Sequence, residues 1–300
     1  MLVTAPACHI RPPAHTGTTR DYREEPVTPS RREAGAVLPL PPALAYSALM
    51  IRDFAATRLF LDAPLAEDAA VNLDPRQANY LVNVLRLADG DEVLVFNGAD
   101  GEWRARLTAA GKKAWRLMAV AQTRAQTPRP DLHYLFAPLK QARLDYMVEK
   151  AVEMGAGRLR PVITRHTQVT RLNQGRLRAN AVEAAEQCGI LALPVIDEPA
   201  RLADVIGGWE KNDRDRRLIF CDEGEEGADP VGTLSALPRS PLAVLVGPEG
   251  GFAEDERAAL RAVPWVTAIS LGPRILRADT AAVAALAVVQ AVLGDWRSRA

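Results

Sequence analysis

Aromatic residues are scarce in this 300-residue chain, at 5%, and cysteines number only three. Cys8, Cys188 and Cys221 show no C-x-x-C spacing, which excludes a zinc ribbon or a disulfide framework and suits a reducing, cytoplasmic compartment. No apolar run reaches the roughly 18 residues that span a bilayer; the longest, 280–293, is short and alanine-rich. The N-terminus lacks the basic-then-apolar order of a signal peptide. Net charge is absent as well, at a formal +0, so any affinity for a polyanion has to come from a local patch. Several catalytic signatures are missing: the G-K-[ST] of a phosphate-cradling loop, G-x-G-x-x-G, His-Glu-x-x-His and G-x-S-x-G. Nucleoside triphosphate, dinucleotide, metal-hydrolase and serine-triad chemistry thereby lose their anchors, and no metal site is expected.

The apolar fraction of 48% is that of a globular protein of one large or two ordinary domains. Residues 1–50 differ from the rest, with clustered prolines and no sustained periodicity, and read as a disordered extension before Met50 heads the first globular pattern. Cys8, His9 and His15 in that stretch make a poor metal site. Residues 51–125 alternate short apolar runs with Asp-Gly and Asn-Gly turns, the pattern of a small β-barrel. One helix is expected within it, over 76–87, with Tyr80, Leu81, Val84 and Leu85 at helical spacing. Beyond the Pro-rich link at 126–130, residues 128–300 alternate strand and helix, as in an α/β domain on a mostly parallel sheet.

Two glycine- and proline-punctuated segments stand out there: Leu245-Val-Gly-Pro-Glu-Gly-Gly-Phe252 and Leu271-Gly-Pro-Arg-Ile-Leu-Arg-Ala-Asp-Thr-Ala281. Each follows a strand-like run and feeds a helix, and ligands of such sheets bind beyond the carboxyl ends of the strands. One composite site is the expectation. Cations outnumber acids between residues 140 and 180, the mark of either a phosphate-facing surface or a solvated helix face. His166, after a strand, reads as an RNA contact or as a satisfied surface histidine.

Together with Arg58-Leu-Phe-Leu61, Val84-Leu-Arg86, Glu149-Lys-Ala-Val-Glu-Met-Gly155 and Glu183-Ala-Ala-Glu-Gln-Cys-Gly189, these loops resemble the RsmE family of 16S rRNA (uridine-N3) methyltransferases, in the knotted SPOUT superfamily. The resemblance runs over residues 52–297. It implies a PUA-like barrel, a C-terminal α/β domain with a deep trefoil knot, S-adenosylmethionine as cofactor, 16S rRNA of the small ribosomal subunit as partner, and a homodimer. Carried onto this chain, the cofactor walls are Phe220, Cys221, Asp222, Leu245, Val246, Gly247, Gly251, Leu271, Gly272, Ile275 and Leu276. Arg277 is the candidate cation for charge developing on the uracil carbonyls, with Glu249 or Asp279 taking the proton or orienting the arginine. Capping of the last helix is the plain alternative for Arg277 and Asp279. Phosphate contacts are expected from Arg58, Arg86, Lys140, Arg143, Arg165 and Arg171. Tyr80 replaces a frequent family His, Asn83 and Ile190 replace Arg, and Asp279 replaces Glu. Competing readings are a knotted methyltransferase acting on a ribose 2′-hydroxyl or on tRNA, and a non-catalytic ribosome-assembly factor.

Overall fold

Two β-sheets organise the computed structural model, which describes residues 56–111, 114–169, 171–224 and 229–297. The expected extension over 1–50, with Cys8, His9 and His15, lies outside the described residues.

The small sheet is built from β1 (Arg58–Phe60), β2 (Ala70–Asn72), β3 (Glu92–Phe96), β4 (Glu102–Ala109) and β5 (Trp115–Arg124), in the order β1-β3-β4-β5-β2. Inward Val93, Val95, Ala105, Leu107 and Leu117 alternate with more exposed neighbours, so one face closes on a core shared with Leu59, Leu61 and Leu81. β1 and β2 are the outer strands of this order, and no pairing between them is present among the described residues. The helix expected over 76–87 begins as a short α-helix, α1 (Pro75–Asn79), started by an Asp74/Gln77 capping box, and widens into a π turn over Tyr80–Val84. That change of pitch turns Val84 outward, 61% exposed, where 3.6-residue spacing had put it inside.

The large sheet takes β6 (Leu132–Phe136), β7 (Arg158–Ile163), β8 (Val195–Ile196), β9 (Ala200–Arg201), β10 (Arg217–Cys221), β11 (Leu242–Val246) and β12 (Val266–Ile269). Their order is β12-β10-β11-β6-β7-β8, with β9 also on β7, and every pairing is parallel. Parallel strands need crossovers, and the helices supply them on both faces. On one face Tyr134, Phe136, Ile219, Val244, Val246 and Ile269 pack against α2 (Gln141–Glu153), α3 (Gln174–Cys188), α5 (Pro230–Ser235) and α7 (Ala278–Val292). On the other, Leu135, Leu218, Phe220, Ala243 and Leu245 meet α4 (Leu202–Asn212) and α6 (Glu254–Arg261).

The two sheets join through α3. Phe60 N–H donates to Glu186 Oε1 at 2.7 Å, and Arg124 donates to the carbonyl of Gly189, the left-handed cap of α3, at 2.9 Å. Phe96, Ala185 and Leu191 form the apolar part of this joint. Gly98 and Gly101, in the turn that separates β3 from β4, take the positive φ that the Asn-Gly and Asp-Gly pairs predict.

Candidate functional site

At the carboxyl end of the large sheet, the connection leaving β10 leads to β11 on one side, while the one leaving β11 returns across β10 to β12. Opposed connections open a crevice at such a point. A cavity of about 860 Å³ fills it, walled by the segments that follow β10, β11 and β12. Both glycine loops contribute, as the sequence predicts.

Of the expected cofactor walls, Cys221, Asp222, Val246, Gly247, Gly251, Leu271, Gly272, Ile275 and Leu276 line this cavity. Phe220 and Leu245 do not. Both are fully buried in the core behind it, because strand alternation turns them to the α4/α6 face. Phe252 takes their place: it lines the cavity and stacks edge-on against Phe220 at 5.0 Å. Gly247 makes room for that ring, since a Cβ there would lie 2.5 Å from Phe252 Cε2. Gly251 holds φ +66°, which bends the loop into α6.

Asp222 lines the cavity, yet its carboxylate is engaged elsewhere. Arg257 Nη2 reaches Oδ1 at 3.0 Å, Arg261 Nη2 reaches Oδ2 at 2.7 Å, and the Gly224 N–H adds a third donor. The carboxylate therefore ties the β10 exit to α6. Burial pushes the neighbouring Cys221 thiol up to about 12, and the Asp222 charge adds to the shift, so the sulfur stays protonated.

His166 is not a free RNA contact. Its Nδ1 lies 3.0 Å from the Gly250 carbonyl and 3.2 Å from that of Gly251, which latches the β7–α3 segment onto the first glycine loop. Arg165 shares this clamp: its N–H donates to Glu256 at 2.8 Å and its guanidinium to Asp255 at 2.6 Å. Single-sequence patterns carry no signal for contacts between groups 84 to 91 residues apart.

Glu249 lines the cavity, and Arg143 Nη1 lies 3.4 Å from its Oε1, so one expected phosphate contact faces one expected catalytic carboxylate. Arg277 and Asp279 do not line it. Arg277 is exposed and occupies the N-cap of α7 between the lining residues Leu276 and Ala278; its side chain makes no cap bond. A cation there runs against the helix dipole, so capping does not explain it. Asp279, in the first turn, suits the dipole, and its Oδ1 accepts the Thr280 N–H at 3.1 Å. Arg274, not anticipated, lines the cavity beside Ile275.

Arg58 corrects a sequence expectation outright. It is buried, its Nε 2.9 Å from Glu102 Oε2, with Arg124 Nη2 2.7 Å from the same oxygen. Burial alone would raise the Glu102 pKa, but the two arginines hold it below the usual carboxylate range. This triad braces the joint between sheets and presents nothing to phosphate. Arg86, Lys140 and Arg171 are exposed, as expected, and Arg86 takes a left-handed φ of +61° just beyond the π turn.

Residues 126–290 match the model of an RNA methyltransferase domain, and residues 73–115 that of an RNA methyltransferase PUA domain. The ribosomal RNA small subunit methyltransferase E of Rickettsia conorii is 32% identical over 235 residues, 78% of this chain and 94% of the relative. The chain belongs to the ribosomal RNA small subunit methyltransferase E family. Its Bacillus subtilis member is 27% identical over 240 residues, 75% of this chain and 91% of that protein. The crystal structure of the Neisseria gonorrhoeae member, bound to S-adenosylmethionine, superposes with a TM-score of 0.66 at 25% identity, over 81% of this chain and all of that one. A putative methyltransferase of Legionella pneumophila, also in complex with S-adenosylmethionine, gives 0.68 at 25% identity, over 80% and 99%. The methyltransferase E fold, an α/β sheet with a PUA domain, is thus the fold of this chain.

Proposed function

We propose that the chain is an S-adenosylmethionine-dependent methyltransferase that modifies N3 of a uridine in 16S rRNA of the small ribosomal subunit. One observation carries the reading. In a chain of this family, both glycine loops converge on a single cavity at the carboxyl ends of three adjacent parallel strands.

The cavity suits the cofactor. Val246, Phe252, Leu271 and Leu276 offer apolar walls, the loops offer backbone groups, and Glu223, Asp229 and Glu249 give the rim the negative charge that suits a sulfonium. Bound there, S-adenosylmethionine supplies an electrophilic methyl group. The imide proton of uracil N3 leaves as that nitrogen attacks, and charge develops on the flanking carbonyl oxygens. Arg277, held at the rim by the start of α7, stabilises that charge, and Glu249 or Asp279 accepts the proton or orients the arginine. Arg86, Lys140, Arg143, Arg165 and Arg171 attract the phosphates. The base leaves its stack to reach the cavity.

The reading extends to architecture. Residues 51–125 form the RNA-binding PUA-like domain and 128–300 the methyltransferase domain, whose chain is threaded into a trefoil knot; the return of the chain across β10 supports the threading. A second copy completes a homodimer, for which Ile275, 97% exposed, and Trp296 offer apolar surface. The protein acts in the cytoplasm on ribosomal particles. No helix among the described residues is long and apolar enough to cross a membrane.

The test is direct. The protein, incubated with methyl-labelled S-adenosylmethionine and small ribosomal subunits, is expected to place the label on uracil N3 when the modified nucleoside is mapped. Label on a ribose or on tRNA overturns the assignment.

A further inference from the structure

A second hollow, of about 530 Å³, shares no lining residue with the first and lies where β1 of the small sheet meets one face of α3, from Gly175 to Gln187. Its walls are two aromatic rings, Phe60 and Tyr80, and the α3 side chains Arg178, Val182, Glu183 and Glu186. The groove is firmly held. Phe60 is fixed at its backbone by Glu186 and at its ring by an edge contact to Phe96 at 5.6 Å, while the Arg178 guanidinium sits 5.6 Å from the Phe60 ring centroid. Tyr80 stands where α1 gives way to the π turn, a departure from α pitch that recurs at functional sites. Burial raises the Glu186 carboxyl above its ordinary range; the Phe60 N–H opposes the shift and the Glu183 charge adds to it.

Methyl transfer uses none of these groups. A phosphate is a poor occupant, because Asp62, Glu183 and Glu186 face one cation, Arg178, itself 3.9 Å from Asp62. A flat ring with N–H donors on its edge is a good one. Aromatic and guanidinium faces stack bases, and carboxylates accept from base N–H groups. Resting on the RNA reading above, we propose that this groove holds one unstacked nucleobase of the RNA, distinct from the methylated one, stacked on Phe60 and Tyr80 with its donor edge toward Glu183 and Glu186. Guanine fits best, since its adjacent N1–H and N2–H match the two oxygens of one carboxylate.

The experiment measures fluorescence anisotropy of the full chain with labelled single-stranded hexaribonucleotides that carry one guanosine, or one abasic nucleotide in its place. Phe60→Leu is expected to weaken the guanosine hexamer about tenfold. It should leave the abasic hexamer and the salt slope unchanged, because no phosphate contact is lost. Glu183→Gln, on an exposed helix face, should remove the preference for guanosine over inosine, and it keeps the question open to measurement if Phe60→Leu does not fold. Equal losses on both hexamers, or wild-type binding by both variants while the wild-type chain still methylates ribosomal RNA, overturn the groove alone. No binding of either hexamer by a wild-type chain that methylates ribosomal RNA likewise overturns the groove, whereas a wild-type chain that transfers no methyl group to ribosomal RNA removes the reading on which the groove rests. An oligoarginine peptide whose binding drops in Phe60→Leu, with RNA binding unaffected, assigns the groove to a basic protein segment and likewise overturns it.

Discussion

The two ends of the large parallel sheet are built on opposite plans. At the carboxyl end, glycines and prolines hold the chain open around a cavity, and charged groups such as Arg274 and Arg277 stand in solvent. At the amino end, charges are buried and paired. Asp213 receives Arg160 Nη1 at 2.7 Å and lies 3.4 Å from His133 Nδ1, while Arg216 donates to Asp131 and to the Leu242 carbonyl, fastening the starts of β6 and β11. The same strands thus carry a fixed end and an open one, where the bracing by Asp222, Arg165 and His166 holds the loops around the cavity without filling it. Stability and chemistry are expected to be separable by mutation.

The sharpest break is Asp213→Ala. It removes the 2.7 Å acceptor of Arg160, which keeps only Asp197 at 3.4 Å, and the 3.3 Å contact of Arg216, and is expected to cost about 3 kcal/mol in urea unfolding. The S-adenosylmethionine affinity of the folded protein, read by calorimetry, should not move; a matching loss of affinity would mean that the ends are coupled. At the open end, Arg277→Ala should lower the methylation rate about a hundredfold or more with cofactor binding kept. Loss of both in calorimetry would make Arg277 a cofactor or structural group.

Acid should act on the fixed end. Burial alone would raise the Asp213 pKa, but the His133 ring 3.4 Å away and the hydrogen-bonded Arg160 guanidinium hold it far below the ordinary value. A carboxyl depressed in the folded state contributes stability that is complete above its unfolded pKa and is lost as pH falls through that value toward the folded one. Melts at decreasing pH should therefore show wild-type stability falling more steeply below about pH 4 than that of Asp213→Asn. The smallest effects belong to the surface. Arg171→Glu should flatten the log–log salt dependence of RNA binding by about one. Arg165→Glu is expected to change it less, because Asp255 already occupies that guanidinium; equal slopes for both would erase the distinction.

Much of this contrast is legible in sequence at the open end and little of it at the fixed one. Gly-Pro punctuation after apolar runs announces the loops, and α3 and α6 can be read residue for residue, since Asn173 and Gly189 mark the ends of α3 and acids fill the first turn of α6. The shortest elements escape notice: β2 and β9 have too few residues to show a period, although the strand at Val195–Ile196 can be read and Asp229-Pro230 does signal the start of α5. The misread residues share one cause. Arg58 looks like a phosphate ligand until Glu102, 44 positions away, folds against it. His166, by contrast, is the satisfied surface histidine that its sequence position allows, with the Gly250 and Gly251 carbonyls as its partners. Phe220 and Phe252 exchange roles because the side a strand residue faces depends on which helices cover the sheet.

The strand order also bears on synthesis. β6 lies between β7 and β11, and its β11 neighbour is the segment Leu242–Val246, more than a hundred residues downstream. The small sheet has all five strands by Arg124 and closes on local partners. A chain emerging from the ribosome can therefore assemble the small sheet early, while β6 and β7 wait with one side of β6 unpaired until β11 appears. Slowing translation between residues 163 and 242 would lengthen that interval of exposed strand edge, the period in which this chain most needs protection from other chains.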